Sequence, residues 1–242
     1  EVFCETDKEV HTAKLIVGSD GMNSKIRELS KISYRSWSYN QTAVVANFKT
    51  SINESCIKQT FTSIGPLALL PINDRESTMI WSIDDDVSYK FISMSDEEFT
   101  NEVVNKFGEQ IGKLEMISKR QHFPLHHLSA KTFAKKSVFL VGDSAHHIHP
   151  LAGLGLNSGI GDVVCLSELI ESNGLENLEE LISAYNRKRI PINLGLAASM
   201  EAFKRGFGQK NIWMKLFRNT AFNIANKISP LKKKFMELAT EL

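Results

Sequence analysis

The stretch Val138-Phe139-Leu140-Val141-Gly142-Asp143-Ser144-Ala145-His146-His147-Ile148-His149-Pro150-Leu151-Ala152-Gly153-Leu154-Gly155-Leu156-Asn157 decides how this chain folds. Its first four residues are an unbroken apolar run, the pattern of a strand buried on both faces in a parallel sheet. Gly142 and Asp143 follow directly, so the strand delivers a carboxylate to the sheet's C-terminal edge, where open α/β folds bind ligands. Gly142 lets the backbone pass a ligand with no Cβ in the way. Gly153-x-Gly155 then opens a helix whose first N–H groups lack partners, a site for negative charge through both free donors and the dipole. A carboxylate beside a positive helix end suits a nucleotide-like ligand with a polyol and an electron-rich ring. A lone Gly-x-Gly would fit the loop of any α/β enzyme. Here strand, Asp143, Pro150 and helix stand together within twenty residues.

Upstream, Val2–Cys4 and Val10–Val17 read as two strands joined by the charged turn Glu5-Thr6-Asp7-Lys8-Glu9. The second runs into Gly18-Ser19-Asp20-Gly21, and Ser24–Leu29 reads as one or two helical turns. From Tyr34 to Ser129 the texture is that of an antiparallel meander, with short β-type runs at Thr42–Phe48, Ile57–Phe61, Leu67–Leu70 and Ser77–Ile83. Ser95-Asp96-Glu97-Glu98 is a capping-box start for a helix through Phe107, ended by Gly108. Downstream, Asn157–Ile170 has helical spacing, with Ile160, Val163, Val164, Leu166, Leu169 and Ile170 on its apolar face and Asn173-Gly174 as its stop. Leu178–Ile190 is a helix stopped near Pro191, and helices follow over Leu194–Phe207 and Asn211–Leu242, broken near Ser229-Pro230. The order is an α/β piece, an antiparallel insert, the α/β piece resumed, then a helical tail, so one domain is discontinuous in sequence. The expected divisions are 1–33, 34–128, 129–190 and 191–242.

Composition agrees with a folded domain rather than a fibre, a span or a nucleic-acid binder. Of 242 residues, 42% are hydrophobic and 24% charged, with a formal net charge of +1. Cys4, Cys56 and Cys165 are few, odd in number and far apart, which reads as reduced cytoplasmic thiols. No apolar run reaches the roughly 18–20 residues that cross a bilayer, and no signal peptide opens the chain.

With these residues in view, the chain resembles the FAD-dependent aromatic-ring monooxygenases. Gly142-Asp143-Ser144-Ala145-His146 through Pro150, then Gly153-x-Gly155-x-Asn157, is similar to that family's second FAD motif, with Ser144 where Ala is usual, a small-for-small change expected to matter little. Leu15–Arg27 resembles its Asp-Gly motif through Asp20, Gly21, Ser24 and Arg27. Ser19 stands there in place of Cys or Ala. Gly65-Pro66-Leu67-Ala68-Leu69-Leu70-Pro71 and Phe123-Pro124-Leu125 point to the ubiquinone-biosynthesis branch. The resemblance implies a Rossmann-like FAD/NAD(P)-binding α/β domain carrying an inserted antiparallel sheet that faces the substrate, with C-terminal helices. It implies that Asp143 accepts hydrogen bonds from the ribityl hydroxyls of FAD, and that Gly142 opens the turn. Pro150, Gly153, Gly155, Leu156 and Asn157 are then expected to lie against the isoalloxazine ring, and Asp20 and Arg27 to hold the cofactor region and the NAD(P)H donor. The implied reaction is hydroxylation of a polyprenylated phenol with NAD(P)H and O2, and the runner-up is a small soluble phenol. Apolar positions such as Leu67, Leu69 and Ile80 favour the greasier substrate. No acidic or basic side chain stands out as a catalytic base. One departure matters: nothing before Gly18 supplies the family's Gly-x-Gly-x-x-Gly turn for the ADP pyrophosphate. The expectation is therefore of a truncated enzyme that alone binds FAD weakly or not at all.

Two regions support rival readings. His146, His147 and His149, with His122, His126 and His127, have the composition of a metal site, although the first three lie inside the flavin-like motif. An inert remnant or metal-binding module is the non-redox alternative. From Lys204 to Lys234 basic residues interleave with Phe203, Phe207, Trp213, Phe217 and Phe222 with no acidic residue between. Such a stretch either lies on an anionic membrane surface, peripheral to an otherwise cytoplasmic protein, or joins a ubiquinone-biosynthesis complex, or is a packing helix with a solvated basic face.

Overall fold

A computed structural model describes residues 2–5, 9–51, 56–150 and 153–208. They divide into two units, one drawn from the two ends of the chain (to Trp37 and from His126) and the other from Ser38–Leu125. Strands β1 (Val2–Glu5) and β2 (Val10–Ala13) pair antiparallel, Val2 opposite Ala13. The sequence predicts one strand over Val10–Val17, but it breaks at Lys14-Leu15, and β3 (Ile16–Gly18) belongs to another sheet. The cause is long-range: the Ile16 amide donates to the Ser137 carbonyl at 2.8 Å, which commits β3 to a partner far along the chain. Helix α1 (Lys25–Leu29) follows, capped by the Ser24 side chain.

The second unit is an antiparallel sheet with helices on one face. Strand β4 (Tyr34–Thr50) enters it from the first unit, and β5 (Lys58–Thr62), β6 (Gly65–Asn73) and β7 (Glu76–Asp84) follow. Helix α2 (Asp85–Ser93) escapes the sequence reading because its acidic start resembles a turn, yet carboxylates suit the positive N-terminal end of a helix. Helix α3 (Asp96–Phe107) has the predicted capping box between Ser95 and Glu98. Strands β8 (Leu114–Met116) and β9 (Gln121–Ala130) complete an order of β9-β4-β7-β6-β5, with β8 on β4. Alternation sorts the faces: Val44, Ala46, Leu67, Leu69, Met79 and Trp81 point one way and are buried with Phe91, Phe99 and Val103 of α2 and α3. Leu67 and Leu69 therefore belong to this core and do not line a substrate face, which corrects the sequence expectation. Val45, Ala68 and Ile80, paired across the strands, face the other way. Arg120 fastens the helices: its guanidinium donates to the Phe91 carbonyl at 2.9 Å and to the Met94 carbonyl, pairs with Asp96 at 3.1 Å, and covers the Phe99 ring. Gly65 at φ +134° is obligatory, because a Cβ there would sit 1.8 Å from the Ser82 carbonyl oxygen.

The chain then returns to the first unit with β10 (Ala134–Lys135), β11 (Val138–Leu140) and β12 (His146–His147), which pairs with β9. Strand β11 runs parallel to β3, Val138 opposite Ile16, and antiparallel to β10, so it is buried as its apolar run predicts. Helix α4 (Leu154–Asn173) starts three residues earlier than its spacing suggests, and α5 (Leu178–Gly208) continues through Pro191 without the expected stop. Arg189 and Asn193, on either side of Pro191, are buried against α4 through bonds to Asp162 and Ser158, and this packing outweighs the amide donor that proline lacks. The face of α4 is also rotated from the expected one. Ser158, Asp162, Cys165, Leu166 and Leu169 are buried, whereas Ile160, Val163 and Val164 are exposed. Phe133, Phe139, Leu140, Leu166, Leu181 and Tyr185 form this unit's core. Tyr185 donates to the Leu140 carbonyl at 3.0 Å, and burial pushes its hydroxyl pKa well up. No described helix is long and apolar enough to cross a membrane. The basic tail from residue 209 onward lies outside the described residues.

Candidate functional site

At the end of β11 the chain makes a tight turn over Gly142–Ser144. Gly142 takes φ +59°, a left-handed value that favours glycine, and the turn lies so close to α4 that a Cβ on Gly159 would stand 3.1 Å from the Gly142 Cα. Asp143 projects outward with its side chain 47% exposed. Its Oδ2 lies 2.9 Å from His147 Nδ1, and that hydrogen bond holds the carboxyl pKa down against partial burial. On the same unit, Gly153 at φ +64° starts the 20-residue α4 with no side-chain cap, the end of a helix where amides lack helical partners. Space above them is open: a Cβ added at Gly153 or Gly155 meets nothing within 4 Å, and Pro150, Leu156 and Asn157 are exposed around them. A carboxylate that accepts hydroxyl donors thus stands on the same unit as an uncapped helix end that receives an electron-rich carbonyl or anion. The residues present fit a polyol chain ending in such a ring.

The other two expected residues are placed differently. Asp20 turns in on its own loop, where Oδ1 accepts from Ser24 Oγ at 2.5 Å and Oδ2 from the Ile26 amide at 3.1 Å. Burial opposes its ionisation, but the Ser24 hydroxyl and these amides outweigh it and lower the pKa. Arg27 is 4% exposed and ties two loops together. Nη1 donates to the Ser144 carbonyl at 2.8 Å, Nη2 to the Met22 carbonyl at 2.7 Å, and the guanidinium stacks on Tyr34 at 4.5 Å. Ser144 completes the junction, its buried hydroxyl lying 2.5 Å from the Gly18 carbonyl. Asp20 and Arg27 shape the loops around the Asp143 turn through bonds to protein groups.

Sequence reasoning missed the group behind the turn. Asp162 on α4 is fully buried. Its Oδ2 lies 2.6 Å from His146 Nε2 and accepts from the Gly142 amide at 2.9 Å, while Oδ1 accepts from Arg189 Nε at 2.7 Å. Arg189 Nη2 also donates to the Ser158 carbonyl at 3.0 Å, and Ser158 Oγ donates to Asn193 Oδ1 at 2.7 Å. A signal existed: Asp162 precedes Cys165, Leu166 and Leu169 at helical spacing, so one charge shares their face. Nearby, His127 is buried and stacks on Trp37, ring centroids 3.8 Å apart. Burial first, then the neighbouring His147, pushes the His127 pKa down to about 4, with Glu201 opposing. Among the described residues no cluster of three or more His, Cys, Asp or Glu side chains is placed to hold a metal ion.

Comparison with known proteins adds a family. Residues 4–198 match the FAD binding domain family. The chain is 30% identical to the mitochondrial ubiquinone biosynthesis monooxygenase of Xenopus tropicalis, covering all of this chain and 60% of that protein. It is 30% identical to the ubiquinone hydroxylase of Rhodospirillum rubrum, covering 97% of this chain and 56% of the relative. Its span is thus little more than half the length of these relatives. Among solved structures, p-nitrophenol 4-monooxygenase of Pseudomonas putida superposes with a TM-score of 0.74 at 16% identity, over 93% of this chain and 59% of that one, which shows a shared fold.

Proposed function

The chain belongs to the FAD binding domain family, and from that premise we propose that it holds the flavin end of FAD at the Asp143 turn and the start of α4, in an enzyme that hydroxylates a polyprenylated phenol of ubiquinone biosynthesis. The observation that carries the reading is the pairing of the exposed Asp143 carboxylate with the uncapped start of α4 on one unit. Asp143, kept ionised by His147, accepts hydrogen bonds from ribityl hydroxyls. The α4 amides and dipole receive the electron-rich pyrimidine edge of the ring and stabilise negative charge there. Bound FAD supplies electron transfer from NAD(P)H and the activation of O2. Pro150 and Leu156 contribute apolar surface that keeps water from the ring.

The substrate class rests on the names of the relatives and on the second unit. Its sheet face opposite the helices carries Val45, Ala68, Leu70 and Ile80, all half-buried, with the exposed Phe61 at the margin. A hydrocarbon-bearing phenol gains from such a face where a small polar phenol does not. The tail from Lys204 would then bring the enzyme to the membrane that dissolves such substrates. Co-flotation with anionic liposomes tests this, and flotation unchanged by deletion of 204–242 sinks it. For the reaction, the protein extended to the length of its relatives is supplied with NAD(P)H and O2, and product formation from a prenylphenol is compared with that from a short-chain phenol. Faster turnover of the prenylphenol is expected, and turnover of the small phenol alone would replace the substrate assignment.

A further inference from the structure

Asp162 is fully buried behind the Asp143 turn. Its Oδ2 receives both ends of one five-residue loop, the Gly142 amide at 2.9 Å and His146 Nε2 at 2.6 Å. Asp143 lies inside that loop. The second oxygen is fixed to α5 by Arg189 Nε at 2.7 Å, and Arg189 is itself held by the Ser158 carbonyl. The amide and the guanidinium can only donate, so both oxygens of Asp162 act as acceptors. His146 must then donate from Nε2. Its other ring nitrogen, Nδ1, has no hydrogen-bond partner among the described residues although the ring is 2% exposed. The ring lies against Phe133, centroids 5.5 Å apart.

We propose that Asp162 is a positioning residue for the flavin site: by closing the Gly142–His146 loop against Arg189 it sets the place of the Asp143 carboxylate and so the affinity for FAD. This rests on the FAD reading above and adds the residue that makes it geometrically possible. Asp162→Asn retains size but turns one oxygen into a donor, which then faces the Gly142 amide and His146 or the Arg189 guanidinium. The loop opens at one end, and Asp143 loses its fixed place while keeping its charge.

The test is a double-mutant cycle in the protein extended to the length of its relatives, with FAD dissociation constants measured by flavin fluorescence and folding checked by circular dichroism. Asp162→Asn alone is expected to weaken FAD about tenfold or more. Because Asp162 acts through Asp143, adding it to Asp143→Ala should cost no more than about threefold further. Losses that multiply, or an Asp162→Asn protein with wild-type affinity, would overturn the role. Should Asp162→Asn not fold, Arg189→Lys takes its place in the cycle, since it keeps the charge but not the planar fork. A measurement on the unaltered protein stands beside the cycle: nitrogen NMR of His146 should show a proton on Nε2, and a bare Nε2 would contradict the arrangement. A wild-type protein that binds no FAD removes the proposed function and this role with it. Wild-type binding with additive losses removes only the role of Asp162.

Discussion

Replacing Ser144 by alanine restores the residue usual at this position in the resembling family, and the structure says it will cost stability. The Ser144 side chain is fully buried, with Oγ 2.5 Å from the Gly18 carbonyl across the junction of β3 and β11. The Val141 amide donates to the same carbonyl at 3.0 Å, so removal of the hydroxyl leaves that oxygen with a partner. The hydroxyl shares its one proton between the Gly18 and Val141 carbonyls and also accepts from the Val141 amide at 3.2 Å. Because that amide keeps the Gly18 carbonyl as a partner, the cost is about 0.5–1.5 kcal/mol, without the larger penalty for an orphaned group. For a protein of this size that is a fall in Tm of about 2–4 °C. Ser144→Val, which forces an extra carbon into the same closed space, should cost more, about 1–3 kcal/mol. Urea and thermal unfolding of the two variants measure both. The FAD dissociation constant of Ser144→Ala should stay within about threefold of wild type, because the Arg27 bond to the Ser144 main-chain carbonyl survives. An alanine variant as stable as the wild type would show that the hydroxyl link does not hold the two strands, and that the junction rests on the backbone bonds alone.

Arg27→Lys removes the planar stack on Tyr34 and one of two carbonyl contacts while keeping the charge, and should lower unfolding free energy by about 2 kcal/mol in urea titrations. A loss under 0.5 kcal/mol would show that charge alone matters. His127 has its pKa pushed from 6.5 down to about 4, so the unfolded chain binds its proton first as pH falls. Stability from this residue is complete above pH 6.5 and is lost between 6.5 and 4, to a limit of about 3 kcal/mol. His127→Phe, which preserves a ring against Trp37, should flatten that slope, and an unchanged slope assigns the acid sensitivity elsewhere. Gly65→Ala must push β6 off β7, and should give little folded protein on expression. Soluble protein with wild-type Tm would contradict the packing.

Features decided within a few residues were legible in the sequence. The β11 run, the Asp143 carboxylate delivered at its end and the Ser95–Glu98 capping box each depend on neighbours along the chain. What escaped depends on partners far away. The division of Val10–Val17 into β2 and β3 follows from the Ile16 bond to Ser137, and no local pattern announces it. Leu67 and Leu69 alternate with Ala68 and Leu70 so evenly that only α2 and α3, packed on one face, decide which pair is core. On α4 the apolar count favoured Ile160, Val163 and Val164, but the pairing of Asp162 with Arg189 and His146 turned the helix toward its charge. The same pairing explains why α5 passes Pro191: the helix is fixed on both sides of the proline by Arg189 and Asn193.

The most direct test of the account is the flavin-to-protein ratio of the chain extended to the length of its relatives. A yellow protein near one FAD per chain is expected, with the flavin lost from Asp143→Ala while the protein remains folded. A folded but colourless wild type, or an Asp143→Ala variant that keeps its FAD at wild-type affinity, would contradict the assignment of the Asp143 turn and the α4 start as the flavin site.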